Sequence, residues 1–458
     1  MIATTRRKLL ALLGATAIAA PLAACGTATM PAVPAQGEGE AEAKPAAEAA
    51  PEPETVELKG ITHAQVVADD NDRVNEAYRA EFGDRINVTT DITPNQTEMQ
   101  NNLKIAAAAG SIPYDLMWIN AHGIMSFAAL GMLTELGPYI ARDGIDMGDM
   151  FAPYALNIYT LFGNFWGMPK NQATVGMFYN VDHFEQAGID VPQDDWNWED
   201  WLSLAEQLTM RQGENVERWG TQVGPWGQTQ GYNWIVINGG EILSEDKTAF
   251  RFGEAPGLDA IKWVHDIVYK YRVAPTNEEA SAMGGAFQMF TTGALALMPS
   301  GSFLFGRPQM AEFRWHAQVL PVSVQSASVI HAGAMAVLNP IEHPDEAWEF
   351  IKHSTTSEAG EQSTAVWNLP ATWRGAANWA KLSDYPEPAK IFVDSMEIGY
   401  PYPYSFFTNE WVAAVRNELN KGWLNEVGID EAVATAVKAG DLVLEKEQEE
   451  LARLGVSQ

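Results

Sequence analysis

Beyond residue 55, short apolar runs alternate with helical patterns along almost the whole chain, which is the signature of an α/β architecture with mostly parallel strands. Residues 61–67 read as a first strand, 71–82 as a helix and 86–92 as a second strand. Residues 95–109 then read as a helix that Gly110 stops, followed by a third strand over 114–119. A second α/β region follows Gly167. In it Trp201, Leu204, Ala205 and Leu208 share one helical face, and Leu258, Ile261, Val264, Val268 and Tyr271 share another; both are ordinary core stripes. Residues 294–298 read as a strand entering a loop over 299–303, and 315–320 as a further strand. A third region has a strand over 329–338 and helices from Pro344 and Ser357, in the pattern of the first. The tail from Pro388 onward reads as helical and ends in a long amphipathic helix after Asp430.

The start of the chain does not follow this pattern. Residues 1–24 hold Arg6, Arg7 and Lys8, then an uncharged stretch from Leu9 to Ala20, and no acid, which is the layout of an export signal. That stretch is about a dozen residues, whereas a membrane-crossing helix needs roughly 20. It ends in Leu22-Ala23-Ala24-Cys25, which resembles a bacterial lipoprotein box, and the resemblance implies a lipid on Cys25. Thr5-Arg6-Arg7-Lys8-Leu9-Leu10 also resembles a twin-arginine signal, with Leu9 as a departure; the basic residues of a Sec signal explain the same letters, so both routes stay open. Residues 25–55 then carry Cys25 and an Ala/Pro/Glu/Gly segment without an aromatic residue, a composition expected to remain a disordered tether.

Composition narrows the function. Cys25 is the only cysteine of 458 residues, which excludes an intramolecular disulfide, a thiolate metal cluster or a paired redox site. The formal net charge of −30 repels nucleic acid and anionic lipid. As an average it also disfavours strongly anionic ligands, which a local basic pocket would override. Sixteen Trp and thirteen Tyr are more than a core needs, so some are expected on a binding surface. About 400 residues after the tether exceed what one core serves, so two lobes are expected.

The order of landmarks resembles the family of extracellular carbohydrate-binding proteins of ABC importers typified by maltodextrin-binding protein. Tyr114-Asp115-Leu116-Met117-Trp118 matches the family's strand of Pro-Asp and apolar residues, and Gly131-Met132-Leu133-Thr134-Glu135-Leu136 follows it. Then come Gly167-Met168-Pro169, Phe178-Tyr179-Asn180, Phe184-Glu185-Gln186-Ala187-Gly188 and Trp198-Glu199-Asp200-Trp201. Phe287-Gln288-Met289-Phe290, Leu320-Pro321 and Pro344-Asp345-Glu346-Ala347-Trp348 complete the series. The match spans nearly everything after the tether. It implies the type II periplasmic-binding-protein fold, two α/β lobes joined by a hinge of several crossings. The N-terminal lobe would comprise 56–171 and 326–371, the C-terminal lobe 172–325 and 372–458. The crossings are expected near 172–175 and 325–333, with a return near Trp373.

A sugar presents apolar C–H faces and a rim of hydroxyls, so its site needs flat rings with convergent amides and carboxylates. Trp118 matches the family's stacking tryptophan, with burial in the core as the alternative. Phe303 aligns with another platform, usually Trp, and Ser300 shares its loop. Trp226, Tyr232, Asn233 and Trp234 are flanked by glycines and expected in loops, with Trp226 or Trp234 in the cleft; Trp367 is a further candidate, while Trp411 is expected to pack under a helix. The polar candidates are Asp69 and Asp70 after the first strand, Asn120, and Asn171 and Gln172 at the first crossing; Asp70 equally suits a helix cap. The missing side chain of Gly333 would let a ligand approach backbone.

The expected protein is thus a monomeric, non-enzymatic receptor without cofactor or metal, exported and held to the outer face of the membrane or in the periplasm. It would close on a sugar or oligosaccharide and present it to the importer's membrane subunits. A same-fold receptor for a peptide or polyamine is the first alternative. A secreted glycoside hydrolase is the second, and it would need two carboxylates across the scissile bond.

Overall fold

The computed structural model describes residues 54–213 and 215–456. The signal, Cys25 and almost all of the tether lie outside the described residues. In chain order the strands are β1 Val56–Thr62, β2 Ile86–Ile92, β3 Leu116–Asn120, β4 Thr160–Leu161, β5 Asn164–Phe165, β6 Met168–Ala173, β7 Val175–Asn180, β8 Met210–Gln212, β9 Asn215–Thr221, β10 Leu295–Gly301, β11 Trp315–Gln318, β12 Ser328–Val337, β13 Leu369–Pro370 and β14 Gly399–Pro401. Two sheets carry the fold. One runs β13-β6-β12-β3-β1-β2 with β14 against β12, the other β11-β7-β10-β9-β8.

The first sheet opens as βαβαβ. β1 pairs in parallel with β2 and β3, with Gly60 opposite Leu116, and helices Gln65–Phe82 and Gln96–Ala108 cross between them. Asn95 caps the second of these by accepting from the Glu98 N–H, and Gly110 ends it at a φ of 80° that favours glycine. β12 then lies antiparallel between β3 and β6. β3, β6, β7 and β10 are buried along their whole length, as strands covered on both faces must be.

The first strand ends earlier than the sequence implies. β1 is Val56–Thr62, and residues 65–67 open a helix. Val66 and Val67 are apolar and β-branched and so read as strand, but Val67, Asn71, Val74 and Tyr78 recur at helical spacing and are buried. Asp69 and Asp70 are therefore helical residues and not loop residues beyond a strand end. Two smaller differences follow the same logic. β10 runs on through Gly301, so Ser300 is in a strand, paired with Gly176. The tail is interrupted by β14, which adds to β12.

The chain passes from the first sheet to the second through Thr174 alone, between β6 and β7. Thr174 is fully buried and its hydroxyl donates to the Phe392 carbonyl at 2.8 Å. It returns between Gln318 and Ser328, and leaves again after Pro370 for helices Trp373–Leu382 and Pro386–Asp394, the latter packed on β7 and β11. At the junction the Ser328 hydroxyl accepts from the Val175 N–H at 2.7 Å, which ties the two passages together.

Candidate functional site

A cavity of about 620 Å³ opens where the carboxyl ends of β1 and β3 meet the turns that follow β10. One wall is strand-borne: Trp118 on β3, Asn171 and Ala173 on β6, His331 on β12, with His63 just past β1. The other is turn-borne, with Phe303, Gly306, Arg307 and Gln309 after β10 and Gln228 from the loop before helix Gly231–Ile237. Trp367 and Asn368, just before β13, close one side.

Trp118 is held in three ways. Its indole N–H donates to Asn171 Oδ1 at 2.9 Å, its ring lies 5.2 Å from that of His63, and 7% of its surface is exposed. The third hold is the notch at Gly333: a Cβ there would sit 2.3 Å from Trp118 Cζ2 and 2.5 Å from Asn171 Oδ1. Gly333 thus lies behind the tryptophan and makes room for the indole, where the sequence pointed to ligand approaching its backbone. Gly301 does the same for Phe303, whose Cε1 a Cβ would meet at 2.3 Å. The two walls are tied beside the cavity, since the Ser302 hydroxyl donates to Asn368 Oδ1 at 3.0 Å and the Ser302 N–H donates to the Thr174 carbonyl at 3.1 Å.

The histidines of the wall are neutral. Burial lowers His63. His331 is pushed down to about 3, first by burial and then by the positive charge that His122 and His63 would carry. Its ring packs against Tyr402 at 4.8 Å and His122 at 5.7 Å. Among the described residues no cluster of three or more His, Cys, Asp or Glu is arranged to hold a metal.

Of the residues singled out in the sequence, Trp118, Asn171, Phe303 and Trp367 meet at the cavity, and Gly333 backs it. The others do not line it. Asp70 is buried within helix Gln65–Phe82, where it accepts from Lys170 Nζ at 2.9 Å and from the Ser363 hydroxyl. Lys170 also donates to Ser354 Oγ at 2.7 Å; burial pushes its ammonium down, against the pull of Asp70. This is a structural ion pair that must stay intact, because either partner alone would be an uncompensated buried charge. Asp69 is exposed and accepts from Gln65 at 2.7 Å. Asn120 exchanges amide hydrogen bonds with Gln96 at 2.6 and 2.9 Å and caps the His122 N–H, and Gln172 accepts from Tyr154 at 2.6 Å and donates to the Pro370 carbonyl at 2.9 Å.

The glycine-flanked aromatic cluster forms a helix, Gly231–Ile237, buried on every side. Tyr232 and Trp234 are core residues within it, and Trp234 packs on Trp201 at 4.7 Å. Gly231 is required there because a Cβ would meet the Pro225 carbonyl oxygen at 2.0 Å. An apolar run of this kind between glycines reads as loop by its punctuation and as buried helix by its content, and content wins. Trp226 packs edge-on against Tyr232 at 4.6 Å and away from the cavity lining, and Trp411 is fully buried under Phe250. Sequence reasoning missed His63, Gln228, Arg307, Gln309 and Asn368. His63 would have followed from ending β1 at Thr62; the turn residues carry no periodic signal.

Residues 67–361 match the family described as bacterial extracellular solute-binding proteins, and the chain belongs to that family. It is 23% identical to an arabinooligosaccharide-binding protein of Halalkalibacterium halodurans over 65% of this chain and 67% of that protein. It is also 23% identical to a lactose-binding protein of Rhizobium radiobacter over 74% of this chain and 82% of that one. Among solved structures, an ABC substrate-binding protein of Listeria monocytogenes in complex with cycloalternan superposes with a TM-score of 0.75 at 23% identity, covering 86% of this chain and all of that one. The fold is that of the type II periplasmic binding proteins. No helix among the described residues is long and apolar enough to cross a membrane.

Proposed function

We propose that this chain is the extracytoplasmic receptor of an ABC importer, which captures a sugar or oligosaccharide in the cavity between the two sheets. The observation that carries this reading is the lining itself. The Trp118 and Trp367 indoles and the Phe303 ring offer flat faces, and Asn171, Asn368, Gln65 and Gln228 offer amides around them. The sugar specificities named for the relatives support it. Among the described residues of the lining there is no Asp or Glu. A glycosidase needs two carboxylates at this place, so the lining argues for binding without catalysis. A polyamine would find no counter-charge there, which argues against the cationic alternative.

On this reading the lobes are 56–171 with 326–371, and 172–325 with 372–458, swinging on the passages at Thr174, between Gln318 and Ser328, and after Pro370. Ligand bridging the walls populates the closed form to the extent that it binds that form better. The membrane subunits recognise the closed surface of a single copy, and a lipid on Cys25 keeps the receptor at the membrane. Calorimetric titration of the chain with a panel of oligosaccharides, paired with small-angle scattering, tests the reading. The expected result is a saccharide that binds, remains intact on prolonged incubation and reduces the radius of gyration. Cleavage of the saccharide, or binding of none, contradicts it.

A further inference from the structure

The chain as a whole has 59 acids against 29 Lys and Arg, and most of its described cations are matched: Arg314 meets Asp182 and Glu185, and Arg142 meets Asp143 and Asp345. The cavity wall has the opposite character. Among the described lining residues Arg307 is the one side chain with a fixed charge, and no carboxylate accompanies it. Arg307 is exposed at the mouth, makes no ion pair among the described residues, and rests 5.6 Å from the centre of the Phe287 ring. An acidic protein that leaves a guanidinium unpaired at its binding cavity keeps five N–H donors free for a ligand.

The hydrogen bonds of the neighbouring amides point the same way. Asn171 Oδ1 is taken by the Trp118 indole N–H, and Asn368 Oδ1 by the Ser302 hydroxyl and the Leu369 N–H at 2.8 Å. These donors fix both amide orientations and leave each Nδ2 uncommitted among the described residues. The Gln228 Nε2 is spent on the Ala173 and Val329 carbonyls at 3.1 and 3.3 Å, whereas the Gln65 Nε2 gives one of its two N–H groups to Asp69 at 2.7 Å; the oxygens these two residues offer are neutral. The uncommitted acceptors are uncharged; the uncommitted donors include a guanidinium.

We infer that the cleft selects an anionic saccharide, one whose carboxylate or sulfate is held by Arg307 while the Asn171 and Asn368 amides take its oxygens and Trp118 takes a ring face. His63 and His331 are neutral at ordinary pH and so neither add to nor cancel this charge. The negative field of the whole surface acts at long range and is screened by salt, whereas the guanidinium acts at contact, where a two-pronged bond to a carboxylate is strongest. The inference rests on the cavity being a sugar site.

The test is calorimetry on the full chain with matched pairs: galacturonate oligomers beside their methyl esters, sulfated galactose oligomers beside their desulfated forms, and maltotriose and arabinotriose as neutral references. An acidic member should bind roughly ten- to hundredfold more tightly than its neutral partner. Arg307→Gln, an exposed change that should leave the melting temperature alone, should abolish that preference by weakening the acidic member far more than its neutral partner. The carboxylate and sulfate arms identify which anion is read. A neutral saccharide that binds as well as its acidic counterpart, or an Arg307→Gln variant that loses both equally, overturns the inference and leaves the sugar receptor standing. Binding of no saccharide of either kind overturns both.

Discussion

Trp118 and Trp234 are both almost wholly buried, at 7% and 0% exposure, yet they sit in different kinds of place. Trp118 is in the middle of the short central strand β3, its ring seated in the Gly333 notch and its N–H tied to Asn171, and it lines the cavity. Trp234 is in the middle of a short helix with every neighbour buried, and its ring is covered by Trp201. What separates a ligand platform from a core residue is what lies over the ring. A short strand of an open sheet presents side chains near its carboxyl end to the crevice, whereas a helix packed on all sides presents none.

The sharpest way to break this comparison is to truncate both rings. Trp234→Ala should cost about 3–5 kcal/mol of stability by opening a cavity, while the protein that remains folded keeps its affinity for saccharide. Denaturant unfolding and calorimetry separate the two quantities; lost affinity in folded Trp234→Ala would place that ring in the site after all. Trp118→Ala should do the reverse, with a smaller loss of stability and an affinity lower by roughly ten- to hundredfold. Unchanged affinity would remove Trp118 as a platform.

Gly333→Ala probes the notch without touching either ring. Its Cβ would fall 2.3 Å from the indole, so Trp118 must shift; a cost of about 1–3 kcal/mol, appearing in both stability and affinity, is expected. A variant with the parent's melting temperature and affinity would show that the ring does not depend on the notch.

Down to about pH 6 the smallest effect comes from His331, at about 3 when folded against 6.5 for the free side chain. Between those values the unfolded chain binds a proton that the folded chain refuses, so stability is full above the window and declines as pH falls through it. The loss is at most about 1.4 kcal/mol for each unit of pH below 6.5. His331→Asn should flatten that decline in melts taken across this range, and an unaltered slope would contradict the assignment.

Much of the fold was legible because periodicity and punctuation agree there. Ile86–Ile92 and the helix between the Asn95 cap and Gly110 stand where they were expected. They disagree at residues 61–67 and 225–237. In the first, β-branched residues belong to a helix; in the second, glycines frame one. Those two places misdirected Asp69, Asp70, Tyr232 and Trp234. The strand-borne wall was readable in part, since Trp118 lies within the apolar run of β3 and Asn171 just before the passage at Thr174. The turn-borne wall was not: Arg307 and Gln309 reach the cavity through tertiary packing that no local pattern encodes, and only Phe303 was anticipated.

A crystal structure of the chain with whichever oligosaccharide binds it in titration would show directly whether Trp118 is the platform. The expected result is a sugar ring stacked on Trp118, its hydroxyls within hydrogen-bond reach of Asn171 and Asn368, and Phe303 on its other side. A ligand seated away from Trp118, or against Trp226 outside the cavity lining, would contradict it.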